Sequence, residues 1–237
     1  MIRVLHLYPR ELGINGDVGN VLALRRRAQW RGMPLEVSDH HPGQSLPVSV
    51  HLVHIGSGPV SGQEAVRDDV AAIAPVLREW AAAGIPFLAI AAGWQLLGRE
   101  LVALDGTVHE GAGVFPSRAT LTTDRRVGEV VADTDWGSIA GFENHGAVTE
   151  LLDGGAPFAR VVRREGPGPV EEGVVTGPSI GTNLHGPLLP MNPVIADRLL
   201  AVAAGLAGVR MGPDDDRIRQ VDDRAARSRD AIRARLR

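Results

Sequence analysis

The chain has 237 residues, 44% of them hydrophobic, with 25 basic against 28 acidic side chains. That length and apolar share suffice for an α/β domain with a full core, and a net charge of −3 gives no reason to expect nucleic acid as the main partner. No cysteine is present, which removes disulfides, thiolate metal sites and a cysteine nucleophile together.

Residues 2–8 (IRVLHLY) read as a first strand. This N-terminus lacks the long apolar core and cleavage site of a signal peptide. No apolar run approaches the ~20 residues that span a bilayer, so the chain is expected to be cytoplasmic. The stretch GDVGN at 16–20 opens a helical run ending at Gly32, with Val21, Leu24 and Ala28 at helical spacing. Residues 35–37 and 50–55 are the next strands, the latter followed by the turn Gly56-Ser57-Gly58. Residues 63–83 carry a long amphipathic helix, which Pro75 is placed to divide in two. Residues 86–90 form another strand, and 94–97 begin another helix. This alternation predicts an α/β fold with a mostly parallel sheet and helices on both faces.

After Gly98 the texture changes. Residues 101–180 hold short β-rich pieces (ATLTT, VGEVVAD, FARVVRR, EEGVVT), expected to extend the sheet or add a small antiparallel layer. Helix returns near 190, with Asn192-Pro193 as its start signal. From Asp214 the tail mixes six Asp with eight Arg and reads as a solvated helix or frayed end outside a domain of residues 1–212.

Five stretches can carry chemistry. PFLAIAAGWQLLG (86–98) turns sharply from strand to helix, a form that presents one reactive side chain at a sheet edge, yet Ala91, Ala92 and Gly93 stand at the turn. The helix-start N–H groups there suit a developing oxyanion. GTNLHGPLLPMNP (181–193) delivers His185 to a strand end before a rigid Gly-Pro turn, as a general base requires. GFENHGAVT (141–149) places Glu143, Asn144 and His145 between glycines, where a solvated turn is the plainer reading. Arg125 and Arg126 offer a bidentate carboxylate clamp or a surface charge pair. Gly56-Ser57-Gly58 allows close backbone approach. The eight histidines include no HExxH pair and read as surface or strand-edge residues, with no metal site.

Taken in order, LYPxxxxxxGDxGN, IGSG, LAIxAGWQLLG, GFENHG and IGTNLHGPLLPxNP resemble class I glutamine amidotransferases of the cobyric acid synthase type. Within them, the chain is most similar to the compact glutaminase subunit of lipid II isoglutaminyl synthase. The resemblance runs from residue 2 to about 200. It implies the flavodoxin-like fold of that class and a cysteine–histidine glutaminase. The cysteine position falls on Ala91, the base on His185, the arginine that holds glutamine on Arg125 with Arg126 adjacent, and the oxyanion N–H groups on Ala92 and Gly58. The HxE ending of the usual triad is absent, since Gly186-Pro187 follows His185, and Asp17 is the candidate for the supporting role. The resemblance further implies a heterodimer with a Mur-ligase-like subunit (MurT) that takes the ammonia. That partner, not this chain, would use ATP and Mg to amidate D-glutamate in lipid II. A methyl group at 91 cannot attack an amide carbon, so the chain is expected to be inactive. A deliberate Cys→Ala exchange and a natural loss of the cysteine lead to the same sequence. Two other expectations are a catalytically dead module that binds and regulates the ligase, and an amidotransferase serving a cobyrinate-type substrate.

Overall fold

A computed structural model describes residues 1–236. In chain order the elements are β1 (Ile2–Leu7), α1 (Val18–Trp30), β2 (Leu35–His40), β3 (Leu52–Ile55), α2 (Val60–Ala82), β4 (Phe87–Ile90) and α3 (Ala92–Leu97). There follow β5 (Glu100–Val102), β6 (Val108–Glu110), β7 (Ser117–Thr134), β8 (Gly137–Leu151), β9 (Ala159–Arg164), β10 (Glu171–Glu172) and β11 (Val174–Thr176). The chain then forms β12 (Ser179–Thr182), β13 (Leu184–His185), α4 (Leu188–Met191), α5 (Pro193–Leu206) and α6 (Asp216–Arg235).

The first sheet has the order β11-β12-β4-β3-β1-β2. Its neighbours pair in parallel, except that β11 runs antiparallel to β12. Both faces are apolar, as a covered parallel sheet demands. Val4, Leu52, Leu88 and Ile180 pack with α1 and α5 on one side. Leu5, Val53, Phe87 and Ala89 pack with α2 and α3 on the other. The expected alternation of strands and helices is therefore found.

Pro75 does not divide α2, which runs unbroken from Val60 to Ala82. Pro75 and Ala71, whose carbonyl loses its donor, are both exposed, so water can satisfy that carbonyl. The short β pieces also need correction. ATLTT and VGEVVAD fuse into one long strand, β7, paired antiparallel with β8 in a second sheet with β5, β6, β9, β10 and β13, while EEGVVT divides into β10 and β11, and β11 extends the first sheet. The polar run TTDRR looks like a break in sequence. In the fold it is an irregularity in one strand, where the register shifts between Leu121 and Arg126.

The charged tail is neither frayed nor fully solvated. Helix α6 is capped by Asp215, whose side chain accepts from the Ile218 N–H at 3.0 Å. It buries Ile218, Ala225 and Ile232, and Ile232 joins Val131 and Ala140 of the second sheet. Arg27 of α1 is 3% exposed and bonds both Asp197 of α5 and Asp222 of α6 at 2.6 Å. Among the described residues no helix is long and apolar enough to cross a membrane.

Candidate active site

Parallel pairing brings several strand ends to one edge. Ile55 stands opposite Ala89, and Thr182 opposite Ile90. The turn at 56–58, the elbow at 91 and the segment leading to His185 therefore leave the sheet side by side, where open α/β sheets bind ligands.

The elbow is strained. Ala91 has φ 42° and ψ −102°, a conformation that costs a residue with a Cβ on the order of 1–3 kcal/mol. It is held by its own N–H, which donates to the Thr182 carbonyl at 2.7 Å, and by its carbonyl, which accepts from the Gln95 N–H at 2.9 Å. The Gly93 N–H donates to the Gly56 carbonyl at 3.1 Å. A Cβ on Gly93 would lie 2.7 Å from that oxygen and 2.8 Å from Ile55, so only glycine lets the helix start this close to β3.

Seven of the residues singled out in sequence line one cavity of about 180 Å³: Ser57, Gly58, Ala91, Ala92, Arg125, Asn144 and His145. Gln63 and Gln95 also line it and bond each other at 2.5 Å, a pair that sequence reasoning missed. Arg125 is braced by Asn144, whose Oδ1 accepts from the guanidinium at 2.6 Å, and Asn144 in turn donates to Asn15 at 3.2 Å. Arg126 lines a separate cavity with Trp94, Glu172 and Asn183. The Ser57 N–H points elsewhere, donating to Asp17 Oδ2 at 2.8 Å.

His185 stands apart from that cavity's wall. It ends β13, paired with Phe142 of β8, and is 1% exposed. Its Nδ1 lies 3.4 Å from Asp17 Oδ2, and its Nε2 has no partner among the described residues. Contacts this long are common at catalytic pairs before substrate binds. Asp17, 168 residues away in sequence, arrives because α1 begins against the His185 turn. A Cβ on Gly19 would come within 2.7 Å of the Pro187 ring. Asn20 accepts from the Leu189 N–H at 2.9 Å, and Asn192 ties Ala140 and Leu188 together. The motifs GDVGN and LHGPLLPMNP are thus two halves of one joint.

The ENH triplet is not a solvated turn. It lies within β8, with Glu143 and His145 both buried. Burial opposes ionisation of Glu143, but His145 and Arg164 outweigh it and hold the carboxyl below its usual range. Nor are the histidines mostly at the surface: His6, His40, His54, His145 and His185 are all buried. His54 backs the site, with its Nε2 3.3 Å from the Asp17 carbonyl oxygen.

The arrangement presents a strained strand-to-helix turn, an arginine lining the cavity beside it and a buried histidine–aspartate pair at one sheet edge. Comparison with known proteins agrees. Residues 3–193 match the CobB/CobQ-like glutamine amidotransferase domain. The GatD subunit of the glutamine-hydrolysing lipid II isoglutaminyl synthase of Staphylococcus aureus is 31% identical, over 90% of this chain and 89% of that one. Its Streptococcus pneumoniae counterpart is also 31% identical, over 85% and 80%. Among solved structures, a glutamine amidotransferase from Thermotoga maritima superposes with a TM-score of 0.55 at 16% identity, over 98% of this chain and 94% of that one, a likeness of fold. The chain belongs to the CobB/CobQ-like glutamine amidotransferase family.

Proposed function

We propose that this chain is the glutamine-binding subunit of a lipid II isoglutaminyl synthase, with the nucleophile's seat occupied by Ala91. The observation that carries the reading is the single cavity shared by the Ala91 elbow, the Gly58 turn and Arg125. Arg125 binds the α-carboxylate of glutamine through charge-assisted hydrogen bonds. With a cysteine at 91, the thiolate attacks the side-chain amide carbon, and backbone N–H groups at Ala92 and Gly58 stabilise the oxyanion. His185 holds the thiol proton and returns it to the departing ammonia, while Asp17 orients the ring through Nδ1. Water then hydrolyses the thioester to glutamate. The ammonia passes to a Mur-ligase-like partner, which uses ATP and Mg to activate the D-glutamate α-carboxylate of lipid II.

With a methyl at 91 the covalent step stops, and the unsubstituted chain binds glutamine without turning it over. Ala91 also favours a second reading, a binding module that supports a ligase fed by free ammonia. Reconstitution with the ligase partner, ATP, Mg and lipid II separates the two. The first predicts that Ala91→Cys supports amidation from glutamine, while the unsubstituted chain supports it from ammonium salt alone. Amidation from ammonium alone with both chains would replace the first reading with the second.

A further inference from the structure

The elbow and the histidine are joined by a four-residue segment. Thr182 accepts from the Ala91 N–H through its carbonyl, and His185 follows three residues later. That segment leaves the first sheet at the end of β12 and enters the second as β13. It is a change of direction with few ladder bonds of its own, and it links the residue bonded to the elbow to His185.

One side chain braces it. Glu172, from β10 at the edge of the second sheet, is 3% exposed. Its Oε1 accepts from the Thr182 hydroxyl at 2.6 Å and from the Asn183 N–H at 2.7 Å. The Thr182 hydroxyl oxygen accepts in turn from the Leu184 N–H at 3.1 Å. Three consecutive residues before His185 are therefore tied, directly or through one hydroxyl, to a single carboxyl oxygen. Thr182 is gripped from both sides, by Ala91 on its carbonyl and by Glu172 on its side chain. Buried polar groups linked in this way hold the backbone of the turn in one geometry.

We propose that Glu172 is a positioning residue for the reaction: as a hydrogen-bond acceptor it clamps the Thr182–Leu184 turn and so sets His185 against the elbow. The proposal rests on the amidotransferase reading. Both donors point at one oxygen, so the clamp needs an acceptor and not a charge. Burial, with Glu143 nearby, pushes the Glu172 carboxyl up, and a protonated carboxyl keeps an acceptor oxygen for both bonds. Glutamine carries the same acceptor, whereas alanine does not. Misplacement of a catalytic group by about 1 Å costs about 10²-fold in rate.

The test uses the full-length chain carrying Ala91→Cys, to which Glu172→Ala, Glu172→Gln and Thr182→Val are added singly. Glutaminase kcat and KM are measured, with the rate at which iodoacetamide alkylates the new thiol at pH 7 and glutamine affinity as a check on folding. Glu172→Ala is expected to lower kcat about 10²-fold with KM within threefold. Thr182→Val should fall part of the way, and Glu172→Gln should stay within threefold of its parent. Alkylation should slow in the same order, because a displaced imidazole no longer stabilises the thiolate. Unchanged kcat in Glu172→Ala, or a loss in Glu172→Gln as large as in Glu172→Ala, overturns the proposal. If Ala91→Cys hydrolyses no glutamine, the functional reading fails on its own. The alkylation series then decides the clamp: a slowing in Glu172→Ala that Glu172→Gln escapes upholds it, and equal rates overturn it.

Discussion

The elbow at Ala91 and the joint around His185 leave the same sheet edge, but they store their chemistry differently. The elbow keeps its strain, its close approach to Gly56 and its hydrogen bonds to Thr182 and Gln95, yet presents an inert methyl. The joint presents titratable groups: His185 beside Asp17, with His54 behind. The elbow's geometry is set by backbone bonds and by the absence of a Cβ at Gly93, so on the proposed reading it needs no cysteine at 91 to form. The histidine's position depends on side chains, so its geometry and its chemistry are lost together.

Four substitutions or conditions sharpen that contrast, in falling order of effect. In an Ala91→Cys background, His185→Asn should lower glutaminase kcat on the order of 10⁴-fold, since members of such a unit fail nearly as a whole. In the unsubstituted chain the same change should leave glutamine affinity within a few-fold, as read by calorimetry. Arg125→Ala should show the reverse pattern, weakening glutamine binding roughly 10- to 100-fold through the loss of a charged hydrogen bond. If His185→Asn weakened binding as much as Arg125→Ala, the separation between cavity and joint would be wrong.

Gly93→Ala probes the elbow by packing alone. A Cβ 2.7 Å from the Gly56 carbonyl has only backbone to push against. An overpacking cost of about 1–3 kcal/mol should lower Tm by roughly 2–4 °C per kcal/mol. An unchanged Tm would mean that the approach to β3 is looser than described. Acid probes the joint. Burial draws His6 and His54 down to about 4, helped by His41 beside His6 and by His6 beside His54. A base whose folded pKa lies below its unfolded value of about 6.5 contributes stability that is complete above that value and is lost as pH falls through the folded pKa. Tm should therefore decline as pH falls from about 6.5 to about 4, and His54→Gln should flatten the decline. A slope unaltered by His54→Gln would remove that histidine from the account.

The first sheet was legible because buried parallel strands announce themselves as apolar runs, such as Leu52–Ile55 and Phe87–Ile90, separated by helical periodicity. The long hairpin was not. The polar Thr122–Arg126 stretch carries no apolar pattern, and its continuity comes only from pairing with β8. In α6 the buried positions Ile218, Ala225 and Ile232 recur every seven residues, a signal hidden by the surrounding charge. Within the site, the local pattern marked Ala91 as a sharp turn and Arg125 as a possible carboxylate clamp, but only the resemblance assigned them roles, because nothing local separates either from a plain turn or a surface charge pair. Asp17 was readable as a candidate, but not its contact, which spans 168 residues. Glu172 sits in the strand-like piece EEGVVT, where nothing in the pattern marks its side chain as buried, and only the fold of β10 against Thr182 buries it.

The central claim is that one side chain, at position 91, separates this chain from a working glutaminase. Ammonia release from glutamine, measured for the unsubstituted chain and for Ala91→Cys with the ligase partner present, tests it most directly. The account predicts release by Ala91→Cys and a rate lower by on the order of 10⁴-fold or more in the unsubstituted chain. Comparable release by both, or by neither while both are folded and bound to the partner, would contradict it.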